Sequence, residues 1–83
     1  MVIIFSSHSL EKIKERNISK SKIRKILKNP DEVQNGKYGR KIAHSFENDK
    51  LIRIIYNKKG ENKYTVITAY KTDPDRYGGE KWK

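Results

Sequence analysis

The chain has 83 residues, no cysteine, two histidines, and twenty lysines and arginines against ten aspartates and glutamates, for a formal net charge of +10. That length allows one domain, residues 1–83, near the lower limit for a single core, and without thiols neither a disulfide nor a thiolate zinc site can staple it. Two histidines among scattered carboxylates form no recognisable metal cluster, whereas positive potential of this density gathers phosphates and makes nucleic acid the default partner, ahead of acidic proteins or anionic lipid.

No apolar run approaches the roughly 20 residues of a membrane span, and "MVIIFSSHS" lacks the charged start and long apolar stretch of a signal peptide. A soluble, intracellular protein of the cytoplasm is expected, with no membrane partner. "VIIF" then suits a short buried strand, and Ser6, Ser7 and His8 end it with groups that can cap a helix. A first helix is expected from about His8 to Arg16. Its apolar stripe is only Leu10 and Ile13, and Asn17 fits a left-handed exit. Ser19 is the next N-cap, with Ile18 and Ile23 as a hydrophobic staple, so helix two begins at Lys20. Ile23, Ile26 and Leu27 give it one apolar face, and Asn29-Pro30 stops it.

The acidic "NPDEVQNG" is assigned no element. After Gly36 and Gly39 the period becomes two: in "YGRKIAHSF", Tyr38, Arg40, Ile42, His44 and Phe46 share one side. "ENDK" is a turn, "LIRIIYN" is apolar apart from Arg53, and "NKKGEN" turns again into "YTVITAY", with Tyr64, Val66, Thr68 and Tyr70 on one side. Residues 2–70 form the core of the domain, and 71–83 read as a tail that docks through Tyr77 and Trp82. The expected architecture is α+β in the order β-α-α-β-β-β, with both helices on one face of a mainly antiparallel twisted sheet, the first strand along one edge, and the other face left for a ligand.

His8 either caps the first helix or acts as a base. Arg16 suits the carbonyl end of that helix and could also grip a phosphate. Arg53, in the most apolar strand, must meet an anion or the margin of the sheet, either a structural partner such as Glu47 or Asp49 or a phosphate. Lys12, Arg40, Lys41 and His44 extend the cationic surface, and Tyr64 can stack on a base or pack across strands. Metal-free RNA cleavage needs a base for the 2′-hydroxyl, cations for the charged phosphorane and an acid for the leaving oxygen. His8 as base, Arg16 and Arg53 as clamps, and Tyr70 or His44 as acid would supply them. No P-loop, Rossmann glycine pattern, CxxC pair or carboxylate dyad points to an ATPase, a dehydrogenase or a two-metal nuclease.

The stretch "SSHSLEKIKERNIS", followed by "LKNP" and closing in "VITAY", resembles a small bacterial and archaeal domain family marked by a His opening helix one, an "ERxIS" junction and a terminal strand ending in TxY. That family is placed with the RelE/ParE and BrnT-like toxins. The resemblance covers residues 4–70, with Ser9 where the family often has Ala and Asn17 where it often has Gly. It implies a RelE-like, microbial ribonuclease-like fold and a metal-independent endoribonuclease toxin, with His8, Arg16, Thr68 and Tyr70 at matching positions. The implied partners are RNA, on or off the ribosome, and an acidic antitoxin; no cofactor is implied. The alternatives are a non-catalytic nucleic-acid-binding protein and a ParE-like inhibitor of gyrase.

Overall fold

The computed structural model of the protein describes residues 1–73. In chain order its elements are β1 (Val2–Phe5), α1 (Ser7–Glu15), α2 (Lys20–Lys28), β2 (Glu32–Asn35), a 3-10 turn (Lys37–Gly39), β3 (Lys41–Glu47), β4 (Lys50–Lys59) and β5 (Lys63–Thr72). The expected docking of Tyr77 and Trp82 lies outside the described residues. Two residues first read as tail, Lys71 and Thr72, complete β5.

Local chemistry sets both helices. Ser6 caps α1 by accepting from the Ser9 amide at 3.0 Å, and the Ser9 hydroxyl returns a bond to the Ser6 carbonyl at 2.8 Å, which satisfies a fully buried side chain. At the other end Asn17 takes φ 58°, its amide reaches the Lys14 carbonyl at 3.2 Å, and the Ile18 amide reaches that of Ile13 at 2.9 Å. This is the Schellman ending, and its apolar pair, Ile13 with Ile18, joins the core. Ser19 then caps α2 through the Lys22 amide at 3.1 Å. Ile18 and Ile23 are both buried, as a staple requires.

The sheet runs β1-β5-β4-β3-β2 and is mixed: β1 is parallel to β5, and the other three pairings are antiparallel. The expectation of a mainly antiparallel sheet of RelE-like type, in the order β-α-α-β-β-β, is corrected by this topology. The order is β-α-α-β-β-β-β. Parallel pairing needs a long connection, which everything between Ser6 and Asn62 provides. The added strand, β2, has one apolar residue, Val33, and that is exposed. It is held by its ladder to β3, which Asp31 extends by donating its amide to the His44 carbonyl at 2.9 Å and accepting from the Phe46 amide at 2.8 Å. Asn48 and Asp49, both at positive φ, make the two-residue turn from β3 to β4.

The core lies between the helices and one sheet face: Ile13, Ile18, Ile23, Ile26 and Leu27 against Ala43, Ile52, Ile54, Tyr56, Val66 and Ala69. Val66 and Ala69 are three apart, a spacing a regular strand cannot place on one face. A bulge explains it, because Tyr56 pairs with Val66 while Ile55 pairs with Thr68, leaving Ile67 extra. Tyr64 therefore packs on the helix side with Val66, and Thr68 and Tyr70 face the opposite way. The reading that put all four on one side is corrected.

Candidate functional site

β1 pairs only with Lys63–Val66 of β5, so the second half of β5 would be left as an open edge. α1 lies against that half, and the residue at its end, Arg16, donates to the Ala69 carbonyl at 2.9 Å and to the Thr68 hydroxyl at 3.1 Å. An edge backbone acceptor thereby gains a charged donor. The same guanidinium stands 5.8 Å from the centre of the Tyr70 ring.

Tyr70 also ends a row of side chains across four strands. Glu32 of β2 pairs with His44 of β3, His44 with Arg53 of β4, and Arg53 with Tyr70 of β5. All project from the face away from the helices, because their strand neighbours Ala43, Ile52, Ile54 and Ala69 face the core. The Arg53 guanidinium lies 5.7 Å from the Tyr70 ring centre. Two arginines from different elements thus converge on one tyrosine, with the Thr68 hydroxyl beside it. A concavity lined by Lys50, Lys71, Thr72 and Asp73 opens next to this row, since Thr72 pairs with Leu51 two residues along from Arg53.

The row is not an open polar surface. His44 is fully buried and Arg53 is only 7% exposed, whereas Arg16 is exposed. Burial, and after it the charge of Arg53, pushes His44 below its ordinary value of 6.5, with Glu32 opposing. The Glu32 carboxylate is 4.0 Å from His44 Nδ1 and accepts from the Gln34 amide at 2.7 Å. A neutral imidazole therefore lies beside a permanent cation. Glu47, one partner expected for Arg53, is engaged by Lys22 instead.

The remaining expected residues scatter. His8 is exposed in the first turn of α1, and the eight residues to Arg16 put the two about 12 Å apart along the helix axis. His8 therefore stands at the opposite end of α1 from Arg16 and is not brought beside it. Lys12 pairs with Glu15 at 3.5 Å on the solvent side of α1. Lys41 donates to Asn35 at 2.6 Å, and Arg40 stands 5.9 Å from the Tyr38 ring in the loop before β3. Tyr64, half-buried, packs on Tyr56 at 5.4 Å between ring centres and belongs to the core side. Sequence reasoning missed Glu32, because nothing marked β2 as a strand until its register set Glu32 opposite His44.

Among the described residues no three of His, Cys, Asp and Glu come together to hold a metal ion, and no helix is long and apolar enough to cross a membrane. A sheet of this topology carrying a two-arginine cluster at its β5 edge is one small α+β domain. Residues 5–71 match the family described as Domain of unknown function (DUF4258), and the chain belongs to that family. No match was found among curated proteins or among solved structures.

Proposed function

We propose that this chain is the toxin of a toxin–antitoxin pair, a cytoplasmic endoribonuclease that cuts RNA without a metal and is held in check by an acidic antitoxin protein. The observation that carries the reading is the convergence of Arg16 and Arg53 on the Tyr70 ring beside the Thr68 hydroxyl. Two guanidinium groups about one point suit a phosphodiester, which gains negative charge as it becomes pentacoordinate. In the reaction the 2′-oxygen gives its proton to a solvent water and bonds to phosphorus, and the bond to the 5′-oxygen breaks. The Tyr70 hydroxyl, carried on the ring that both guanidinium groups approach, is assigned to protonate that leaving oxygen. A 2′,3′-cyclic phosphate and a 5′-hydroxyl result. The net charge of +10 supplies the attraction that brings RNA to the surface.

One set of observations favours a second reading, a protein that holds RNA without cutting it. His8 is about 12 Å from Arg16, and His44 is wholly buried, so neither imidazole stands beside the Tyr70 hydroxyl. End-labelled RNA incubated with the protein in EDTA separates the two. The toxin reading expects fragments ending in 2′,3′-cyclic phosphate, lost in Arg16→Ala and in Tyr70→Phe while both variants stay folded. Wild-type protein that leaves many RNAs uncut across pH 5 to 9 overturns it, and salt-sensitive binding without cleavage then selects the second reading.

A further inference from the structure

We propose that Tyr38 is a stacking platform for an unpaired base of the bound RNA, an inference that rests on the RNA reading above. Among the described residues four other than glycine take positive φ: Asn17, Tyr38, Asn48 and Asp49. Asn and Asp tolerate the left-handed region because their short polar side chains bond locally. Tyrosine has no such excuse. At φ 58°, ψ 36° its bulky side chain is disfavoured, and Gly39 beside it continues the left-handed course at φ 72°.

Folding gains little in return, because Tyr38 is 88% exposed, the most exposed large apolar residue among the described residues, and its ring meets the Arg40 guanidinium only at the surface. The loop itself closes without it, through the Gly36 amide bonded to the Arg40 carbonyl at 2.7 Å. An asparagine or glycine would serve the backbone better, so the ring is there for something outside the fold.

The surroundings say what that is. Lys37, Arg40 and Lys41 flank Tyr38 in the chain, and no acid lies between Gly36 and Lys41. The Arg40 guanidinium lies over the ring at 5.9 Å from its centre, and the high exposure leaves the opposite ring face open. An aromatic plane among cations is the arrangement that binds single strands: the cations take the phosphates and the ring takes a base of any identity. Lys41 pairs with Tyr56, three residues along β4 from Arg53, so the loop begins about 10 Å from the arginine row. A short stretch of one strand can reach both. The occupant is therefore a base flanking the phosphodiester held by the arginines, and duplexed bases are excluded because their faces are already stacked.

The test compares wild type with Tyr38→Asn, which keeps the backbone tolerance and deletes the ring, and with Tyr38→Phe, which keeps the ring. Binding is measured to a single-stranded RNA with methylated 2′-hydroxyls, which cannot be cut, and to inorganic polyphosphate, which has charge but no bases. The expected result is that Tyr38→Asn melts at the same or a higher temperature, binds the RNA roughly ten-fold more weakly and binds polyphosphate as wild type does, while Tyr38→Phe behaves like wild type. Unchanged RNA binding by Tyr38→Asn overturns the inference and leaves the RNA reading standing. An equal loss on polyphosphate, or a lowered melting temperature, also overturns it, since the ring would then serve charge placement or the fold. Wild type that binds polyphosphate but not the RNA sinks both.

Discussion

Between Leu51 and Tyr56 the two faces of β4 are both largely buried, yet only one of them carries a charge. Toward the helices it presents Ile52, Ile54 and Tyr56; away from them it presents Leu51, Arg53 and Ile55. Ile54 is fully buried and Arg53 is 7% exposed, so position in the sheet denies water to both. Hydrocarbon in such a place stabilises the fold in proportion to the area it removes from water. A guanidinium there is costly unless it meets partners, and fold stability alone gives no reason to keep it. The difference teaches that the helix-covered face holds the molecule together through hydrocarbon, while the face bearing Glu32, His44, Arg53 and Tyr70 seats a cation and an imidazole whose burial must be offset by partners.

Substitutions can break or sharpen that contrast. The largest effect is expected from Ile54→Ala, which opens a cavity against α1 and α2 and should cost about 2–5 kcal/mol in a urea titration. RNA binding per folded molecule should stay the same. Arg16→Ala should do the reverse: stability falls by less than about 1 kcal/mol because the side chain is exposed, while RNA affinity falls about ten-fold and the slope of affinity against salt concentration drops by about one counterion. Equal damage to stability and binding by both variants would erase the distinction between the faces. Smaller still is Ser19→Ala, which removes the cap of α2 and should cost about 1 kcal/mol with no effect on RNA.

The smallest effect is a pH dependence that belongs to the polar face. Burial first, and Arg53 second, hold His44 below 6.5 in the folded protein, so the unfolded chain takes up this proton at a higher pH. The contribution is then fully present above about pH 6.5 and is lost as pH falls. Urea midpoints taken between pH 7 and 5 should decline for wild type and decline less for His44→Gln. Identical slopes for the two proteins would remove His44 as their source.

Much of the helix-covered half was legible in the sequence, because each of its signals is local. Asn17 as a left-handed exit, Ser19 as a cap, the Ile18 and Ile23 pair and the stop at Asn29-Pro30 depend on a few neighbouring residues, and the structure uses each of them. "ENDK" likewise needs only its own two positive-φ residues. The polar half depends on register between distant strands. β2 has no apolar pattern, and Glu32 became visible only when pairing put it opposite His44. The parallel placement of β1 is a property of the whole chain. The bulge at Ile67 reverses the alternation of β5 midway, so counting by twos from Tyr64 assigns Thr68 and Tyr70 to the wrong face. Arg16 and Tyr70 were picked out by residue type and motif, but their approach to Arg53 rests on that bulge.

The central claim is that Arg16 and Arg53 grip the same phosphodiester. Binding of the uncleavable, 2′-methylated single strand to wild type, Arg16→Lys, Arg53→Lys and the double variant tests it most directly, since lysine keeps the charge and removes the forked geometry. Shared contact with one phosphate predicts that each single change weakens binding and that the double variant loses clearly less than the product of the two losses. Losses that multiply independently, or no loss at either position, would contradict it.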